Sequence, residues 1–498
     1  MGDDCQAFVK WFQNKGGTVD LTSMELTYFP ASEGGRGAVA LKDLEEGHIL
    51  FSIPREVTMS TRTSSLPSLF GMENWHRFGL DEGWSGLILS MMWETAQGPK
   101  SKWAEYLHVL PTSFDTPMFW DDKDLEELRG TSIIQKLGKE DAEKDYQSKL
   151  KPALESRPDL FPPAGSETYY SYKIYHVMGS RILSRSFNTE KWQRREEGEG
   201  EELQGDTSMG SAMDIDEHEV KGSELHSQSR RESESSDEEE DGDDEPSDPS
   251  DTAMVPMADM LNARYEHANA SLFYEENVLN MVTTQPIKAG DQIWNTYSDL
   301  PNSELLRRYG HVDWLPLENG EQGNPGDVVE IPATVVVDAV KEIHTTMAED
   351  RFTQRIDWWL EEGGDDIFDF GWEVEYPEAV FSLIRLLLLS DSEWEKAREK
   401  SKLPKPKPDA EVLTVLQNAL TRRLDEYSTS IKDDESLLQR DDLRLNLRNA
   451  VIVRLGEKKI LDAILAKVGT DIAAAYGKRP KRKLEPQSEA KGGKKSRR

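Results

Sequence analysis

The chain has 498 residues, a length that predicts two or three domains rather than one. Its formal net charge of -34 argues against a general nucleic-acid surface and favours attraction to basic partners, such as a basic protein tail. The single cysteine, Cys5, excludes an internal disulfide and a cysteine-rich zinc site, and it suits a reducing compartment.

The N-terminal region predicts one helix followed by short strands. The opening MGDDCQAFVK lacks the basic and apolar regions of a signal peptide, and no apolar run approaches the roughly 20 residues of a membrane helix. Residues 5–15 favour a helix, and strand-like pieces follow as far as 49–54. Between those pieces lies Gly-Gly-Arg-Gly at 34–37, which alone is more often a turn than a ligand site.

The next region is predicted to be helical and then interrupted. Four segments within about 61–190 carry apolar residues at three- and four-residue spacing: 84–95, 102–109, 134–150 and 170–187. Residues 232–251 then hold twelve acidic residues and no Lys or Arg, interleaved with serine. Such a segment cannot bury enough apolar surface to offset its ordering entropy, so we expect 191–251 to be a disordered insertion.

Residues 254–313 concentrate polar side chains beside short strands. Asp-Met-Leu-Asn at 259–262 closes an apolar run, a strand-like segment follows at 280–286, and a second strand ends in Asn-Thr-Tyr at 295–297. A second tyrosine, Tyr309, comes twelve residues later. One tyrosine on a strand is normally a core residue with a satisfied hydroxyl. Two tyrosines with Asp and Asn in so small a unit favour a functional site, because buried polar groups need partners or a task.

The C-terminal part is predicted to be mostly helical between about 328 and 470, followed by a basic tail. The main candidate helices are 377–390, 410–429, 433–439 and 443–468, with Pro377 in the first turn of its helix. The last 21 residues, 478–498, hold ten Lys or Arg against two Glu. These basic clusters resemble a nuclear localisation signal. The alternative is a solvated tail that contacts the acidic insertion of the same chain.

Residues 254–313 resemble the C-terminal half of a SET-domain lysine methyltransferase of the Rubisco-methyltransferase-like class. Residues 17–60 resemble the N-terminal SET strands, 102–120 the helical insert, and 423–461 the Rubisco-methyltransferase substrate-binding domain. The strings are most similar to those of fungal ribosomal-protein lysine methyltransferases and of a related animal nuclear SET-domain enzyme.

The resemblance implies an α+β fold, in which a mostly-β SET core is split by a helical insert and followed by an all-helical C-terminal substrate-binding domain. The expected segments are N-terminal SET strands at 1–60, the helical insert at 61–190, the acidic insertion at 191–251, a C-terminal SET segment with the active site at 252–314, the helical domain at 328–470 and the tail at 478–498.

The resemblance also implies roles for particular residues. Tyr297 corresponds to the catalytic tyrosine, and Tyr309 to the second aromatic residue of the site; both would contact the substrate lysine. The residues expected to bind the methyl donor, S-adenosylmethionine, are Gly35, Arg36, Gly37, Arg185, Asp259, Asn262, Ala263 and Tyr309. Trp84 and Asn188 are expected to line the lysine channel, although packing or capping would also explain them.

Ala263 departs from the pattern of the class, in which a histidine usually follows the asparagine. The backbone at 263 can still bind adenine, because backbone donors do not depend on the side chain. Loss of the imidazole would weaken donor affinity unless His267 offsets it. We favour the simpler interpretation, that His267 is a solvated loop residue.

The resulting hypothesis is an S-adenosylmethionine-dependent protein-lysine N-methyltransferase that acts on a basic nuclear or ribosomal protein. We expect a nuclear and also cytoplasmic protein that is monomeric and uses no metal, nucleic acid or membrane. Two alternatives stay open: an inactive SET-fold adaptor that binds a basic protein, and a SET-fold enzyme for another nucleophile such as histidine.

Overall fold

The structure is a computed structural model and describes residues 3–30, 34–189, 251–343 and 349–477. Almost all of the predicted acidic insertion, and the whole basic tail, lie outside the described residues. The chain divides into two compact units. The first contains the described residues of Met1–Asp327 together with Leu437–Val453, and the second contains the described residues of Val328–Ser436 together with those from Arg454 to 477.

The first unit contains two four-stranded sheets. Its strands are β1 (Thr18–Val19), β2 (Met24–Tyr28), β3 (Arg36–Ala40), β4 (Ile49–Pro54), β5 (Ser186–Asn188), β6 (Thr252–Met254), β7 (Asn262–Ala263), β8 (Ala270–Tyr274), β9 (Val278–Thr283), β10 (Gln292–Asn295), β11 (Leu315–Pro316) and β12 (Gln322–Gly323). One sheet has the order β1-β4-β9-β8 and the other β2-β3-β10-β7, while β5 pairs with β6 and β11 with β12. In β9 every second residue is buried, the period that a strand with one face on the core requires.

The helices of the first unit share its apolar core with the strands and loops. They are α1 (Asp3–Asn14), α2 (Leu66–Phe70), α3 (Met72–Arg77), α4 (Ser85–Gln97), α5 (Ala104–Val109), α6 (Asp122–Glu126), α7 (Lys139–Asp145), α8 (Lys151–Ser156), α9 (Ser166–Tyr169), α10 (Tyr172–Arg185) and α11 (Asn302–Tyr309). α4 is apolar around most of its circumference and is buried from Ser85 to Glu94. The helix predicted at 134–150 begins only at Lys139, because Gly138 precedes it in the left-handed conformation with φ +63°.

The second unit is mostly helical, as predicted, but it also contains one pair of strands. Its elements are β13 (Val328–Pro332), α12 (Ala333–Ile343), α13 (Glu349–Glu361), β14 (Ile367–Gly371), α14 (Glu378–Leu388), α15 (Asp391–Glu399), α16 (Ala410–Asp425), α17 (Ile431–Leu438) and α18 (Leu445–Gly477), whose first turns, up to Val453, group with the first unit. Pro377 is the cap residue before α14 rather than a member of its first turn.

The predicted α+β class is confirmed, and the strand pair corrects one detail of it. β13 and β14 pair antiparallel over five residues, so the C-terminal domain is not wholly helical. Alternate side chains of the pair are buried at 2% exposure or less: Val329, Ile331, Phe368 and Phe370. This period of two is the pattern of a half-buried strand.

Candidate active site

Strand β10 brings the three predicted motifs together. It pairs antiparallel with β3, through Gln292 opposite Val39, and parallel with β7, through Asn295 opposite Ala263. The Gly-Arg-Gly segment, the Asp-Met-Leu-Asn segment and the Asn-Thr-Tyr segment therefore lie on or beside three neighbouring strands. Arg36 and Gly37 belong to β3 itself, so the glycine-rich loop ends earlier than its sequence suggests.

Glycines leave room for the side chain of Asn262. A Cβ atom on Gly37 would lie 2.6 Å from Asn262 Nδ2, and one on Gly34 would lie 2.6 Å from Asn262 Cγ. The amide of Asn262 donates to Gln292 Oε1 at 2.8 Å. A Cβ on Gly35 would meet nothing within 4 Å, so the backbone there faces open space. Two residues around Asn262 were not among the predicted site residues. Gln292 accepts its hydrogen bond, and a side chain at position 34 in place of Gly34 would crowd it.

Asp259 is a buried carboxylate whose hydrogen bonding is incomplete. Its side chain has no exposed surface, and Tyr106 donates its hydroxyl to Oδ2 at 2.8 Å. Arg185 Nη1 donates to the main-chain oxygen of Asp259 and lies 4.0 Å from Oδ2. Burial raises the pKa of Asp259 to about 6, although Arg185, Tyr106 and Arg36 all favour the charged form.

The two predicted tyrosines stack on each other. The ring centroids of Tyr297 and Tyr309 are 4.1 Å apart and the planes differ by 3°. A side chain cannot pass between rings at that separation, so a substrate would contact the outer faces or edges of the pair. Tyr297 donates its hydroxyl to Leu261 O at 3.2 Å. Burial raises the pKa of Tyr297 above its ordinary value, so the hydroxyl keeps its proton at neutral pH.

Helix α11 holds Tyr309 in place. Burial alone would raise the pKa of Glu304, but Arg307 and Arg308 outweigh burial and lower that pKa to about 2. Glu304 Oε2 lies 2.8 Å from Arg307 Nη2 and 2.7 Å from Arg308 Nε. The helix ends at Gly310, which has φ +79° and would place a Cβ 2.9 Å from the main-chain carbon of Asp115. Tyr309 is thus the last residue of a helix that is held by the Glu304 ion pairs and capped by Gly310.

A small hollow beside Tyr297 accommodates the unusual alanine. Ala263, Ser298 and His311 are among the residues that line it. Burial lowers the pKa of His311, which favours a neutral ring. No motif in the sequence singles out His311. His267 is exposed and lies with Nδ1 2.6 Å from Tyr265 O, in agreement with its interpretation as a loop residue.

Core packing explains the position of Trp84, and strand pairing explains that of Asn188. Trp84 precedes α4 and packs, partly buried, against the main core of the first unit. Asn188 is buried on β5, opposite Thr252 of β6. Their contribution to a lysine channel stays a prediction.

Three buried polar atoms of the site have no hydrogen-bond partner within the described part of the chain. They are Asp259 Oδ1, Arg185 Nε and Asn295 Oδ1. Buried polar atoms in folded proteins nearly always have partners, so unpaired atoms on three neighbouring site residues fit a polar ligand. Over the same ranges there is no group of three or more His, Cys, Asp and Glu side chains placed to hold a metal ion.

A second hollow, of about 420 Å³, is lined by none of the predicted site residues. Lys102 and Arg62 lie in its wall. Lys102 Nζ donates to Thr63 O at 2.8 Å, and Arg62 pairs with Asp251 at 2.5 Å. These two cations already have partners, and we do not assign the hollow to the site. No helix in the described ranges is long and apolar enough to cross a membrane.

Comparisons with known proteins agree with the resemblance seen in the sequence. The family described as Rubisco LSMT substrate-binding matches residues 341–461. Ribosomal lysine N-methyltransferase 4 of Saccharomyces cerevisiae is 29% identical over 70% of this chain, which spans 61% of the yeast protein. Human N-lysine methyltransferase SETD6 is 29% identical over 86% of this chain and 84% of its own length.

Solved structures show the same fold. Rubisco LSMT bound to AdoMet matches with a TM-score of 0.63, covering 95% of this chain and 93% of that one at 18% identity. The SET domain of LSMT bound to lysine and AdoHcy matches with a TM-score of 0.64, over 95% and 92% of the two chains, also at 18% identity. Family match, sequence relatives and fold all point the same way: the chain is similar to SET-domain protein-lysine methyltransferases of the Rubisco-methyltransferase-like class.

Proposed function

We propose that this protein transfers a methyl group from S-adenosylmethionine to a lysine side chain of a basic nuclear or ribosomal protein. The observation that carries the proposal is the cluster around residues 259–262. There Tyr297 and Arg185 donate to main-chain oxygens of the segment, the Asn262 amide donates to Gln292, and Asp259 Oδ1 and Arg185 Nε have no partner within the described residues. Asn295, whose Oδ1 is also unpaired among those residues, lies opposite Ala263 on the neighbouring strand. Similarity to lysine methyltransferases suggests the reaction.

The unpaired atoms suit the polar parts of the donor. Asp259 Oδ1 and Asn295 Oδ1 can accept from the ammonium or hydroxyl groups of S-adenosylmethionine, and Arg185 Nε can donate to its carboxylate. The open backbone at Gly35 and the main-chain groups at Ala263 would contribute further hydrogen bonds. When bound, the donor supplies a methyl group on a positively charged sulfur.

The chain's own residues would orient the lysine and favour its neutral form. The reference pKa of lysine is about 10.4, so the amine must lose a proton before it can attack. An aromatic, partly desolvated surface disfavours the ammonium form, while the outer face of the Tyr297–Tyr309 pair can attract the cation as it arrives. Tyr297 stays neutral and is fixed through Leu261 O. Positioning of this kind supplies much of the acceleration in such reactions.

The substrate and its location are the finer parts of the proposal. The formal charge of -34 favours a basic partner. The name of the yeast relative connects that protein to ribosomes, and the basic tail at 478–498 supports entry into the nucleus, with some protein also in the cytoplasm. A fluorescent fusion that lacks 478–498 and still enters the nucleus as efficiently as the full chain would remove the tail from this role.

The test is methyl transfer from labelled S-adenosylmethionine to ribosomal and basic nuclear proteins, with the modified side chain identified by mass spectrometry. We expect methyl-lysine from the wild type and a loss of about 100-fold in Tyr297→Phe, with donor binding and melting temperature retained. Tyr146→Phe is the matched control, because its hydroxyl also donates to a main-chain oxygen, Tyr170 O, at 2.8 Å. It should keep full activity.

The other outcomes separate the alternatives. Methyl-histidine as the product would show that the site takes a different nucleophile. Donor binding without transfer to any protein would show an adaptor rather than an enzyme. Near-wild-type turnover in Tyr297→Phe would remove that residue from the catalytic role.

A further inference from the structure

We infer that Tyr106, which lies on α5 outside the predicted site, is a positioning residue that holds the active-site segment 259–262 through its hydrogen bond to Asp259. The expected effect of Tyr106 on methyl transfer rests on the proposed function. It concerns a residue that no motif of the site includes.

Tyr106 cannot move away from Asp259 without disturbing the N-terminal helix. Its side chain is fully buried, and its ring stacks on Trp11 at 6.3 Å with the planes 10° apart. Phe8, one turn earlier on α1, packs on it at 6.2 Å. Trp11 in turn donates its indole N–H to Lys102 O at 2.9 Å, which ties α1 to the residues just before α5. The hydroxyl of Tyr106 is therefore presented from a rigid support.

The hydrogen bond from Tyr106 reaches the segment that organises the rest of the site. Within four residues this segment contains Asp259 Oδ2, which accepts from Tyr106 at 2.8 Å, and Leu261 O, which accepts from Tyr297 at 3.2 Å. It also contains Asn262, bonded to Gln292 at 2.8 Å. Ionised Asp259 can accept at Oδ1 from the ammonium group of the donor, so the bond from Tyr106 favours the form of the segment that binds the donor.

Charged and titratable groups from several elements face Asp259. Arg185 and Arg36 favour its ionised form, and the hydrogen bond from Tyr106 does so too. Tyr297 is also close enough for the aspartate charge to raise its pKa. Burial opposes all of these and is the largest influence on Asp259. Removal of the Tyr106 hydroxyl should therefore raise the pKa of Asp259 further, toward neutral pH.

The experiment compares Tyr106→Phe with wild type on one lysine peptide between pH 5.5 and 9. The ratio of the two kcat/KM values cancels the titration of the substrate lysine, which both enzymes share. For an upward shift of about one unit, the ratio should be roughly one-third at pH 6.5 and should approach one above pH 8.5. Tyr427→Phe is the matched control, since it removes another buried tyrosine–carboxylate bond, to Glu457 in the second unit. Its ratio should not change with pH.

A ratio that is low but constant with pH would mean a merely structural role, and a ratio of one throughout would mean no role; either overturns the inference. The double variant Tyr106→Phe/Asp259→Asn should match Asp259→Asn alone at every pH. The double variant has no carboxylate to bury at position 259, so the test remains available if Tyr106→Phe alone does not fold. A pH-dependent difference between the two would show that Tyr106 does not act through the Asp259 charge.

A wild type that transfers no methyl at any pH would contradict the proposed function instead. The Tyr106–Asp259 coupling can then be read from melting temperatures alone. The difference between wild type and Tyr106→Phe should widen as pH rises from 5 to 8, because the variant makes ionised Asp259 more costly to bury. A constant difference would overturn the coupling.

Discussion

Two buried aspartates, one in each unit, show how differently the same side chain can be used. Asp434 lies in the second unit and is wholly buried against Arg454 and Lys458. Arg454 Nη2 donates to it at 2.8 Å, and Thr429 donates its hydroxyl at 3.0 Å. Asp259 in the first unit is equally buried, but within the described residues its carboxylate has one side-chain hydrogen bond and a guanidinium nitrogen 4.0 Å away.

The difference separates a group that stabilises the fold from one that fits a ligand. Both oxygens of Asp434 are satisfied by groups of α18 and of the turn before α17, so nothing further is needed to explain its burial. Among the described residues, Asp259 leaves Oδ1 unpaired, and its pKa is raised to about 6. A buried ionisable group that is incompletely paired and lies beside other unpaired polar atoms is a candidate for a functional site.

Loss of Asp434 should give the largest effect on stability. Asp434→Ala leaves Arg454 and Lys458 buried without a counter-ion, and we expect a loss of about 3–5 kcal/mol in the free energy of unfolding. Urea denaturation measures this. Asp441→Ala, at an exposed position, is the control and should cost less than about 0.5 kcal/mol. A loss below about 1 kcal/mol for Asp434→Ala would break the comparison.

Asp259→Asn should act in the opposite way, with little cost in stability and a large cost in activity. The folded pKa of about 6 is above the ordinary value of 3.8, so ionised Asp259 destabilises the fold. Wild-type stability should therefore fall relative to the variant as pH rises from about 4 through 6, by on the order of 2 kcal/mol. Methyl transfer should fall at least about tenfold at pH 8.

Thermal unfolding from pH 4 to 8 and a transfer assay test the two halves of this prediction separately. A variant less stable than wild type at every pH would show that Asp259, like Asp434, mainly stabilises the fold.

A smaller effect is expected where a glycine gives Asn262 its space. In Gly37→Ala the new Cβ would lie 2.6 Å from both Asn262 Nδ2 and Gln292 Oε1 and would disrupt their hydrogen bond. Affinity for S-adenosylhomocysteine should fall about tenfold, which corresponds to roughly 1.4 kcal/mol. Gly179→Ala is the control, because its Cβ would meet only Ile88 Cδ1, at 3.8 Å. Equal affinities in the two variants would show that Asn262 tolerates displacement.

Local sequence patterns predict the parts of the site that lie close together along the chain. Asn262, Tyr297 and Tyr309 fall within 48 residues, and their grouping around two short strands, together with the family resemblance, predicts them as site residues. Tyr106 lies 153 residues from Asp259, and no local pattern joins them. Its string, Lys-Trp-Ala-Glu-Tyr, indicates a helical insert, but only the packing of α1 and α5 shows what the hydroxyl contacts.

The fold was predictable in class and less so in detail. Apolar spacing located most of the long helices to within a few residues, because one face of each packs on a core. The pair β13 and β14 was missed, although VVEIP and IFDFG both alternate, since helical signals surround them. The helix predicted at 134–150 likewise begins only after Gly138, whose left-handed conformation the apolar spacing does not predict. Tertiary pairing decides such short segments.

The most direct test of the central claim, that the incompletely satisfied segment 259–262 binds the methyl donor, is a calorimetric titration of S-adenosylhomocysteine into wild type and Asn262→Ala. We predict saturable one-to-one binding to the wild type and a loss of about 1–3 kcal/mol in the variant. Asn446→Ala removes a similar amide–acceptor bond, to Asp124 at 2.8 Å, and should bind as the wild type does. No measurable binding to the wild type, or equal binding to a folded Asn262→Ala, would contradict the account.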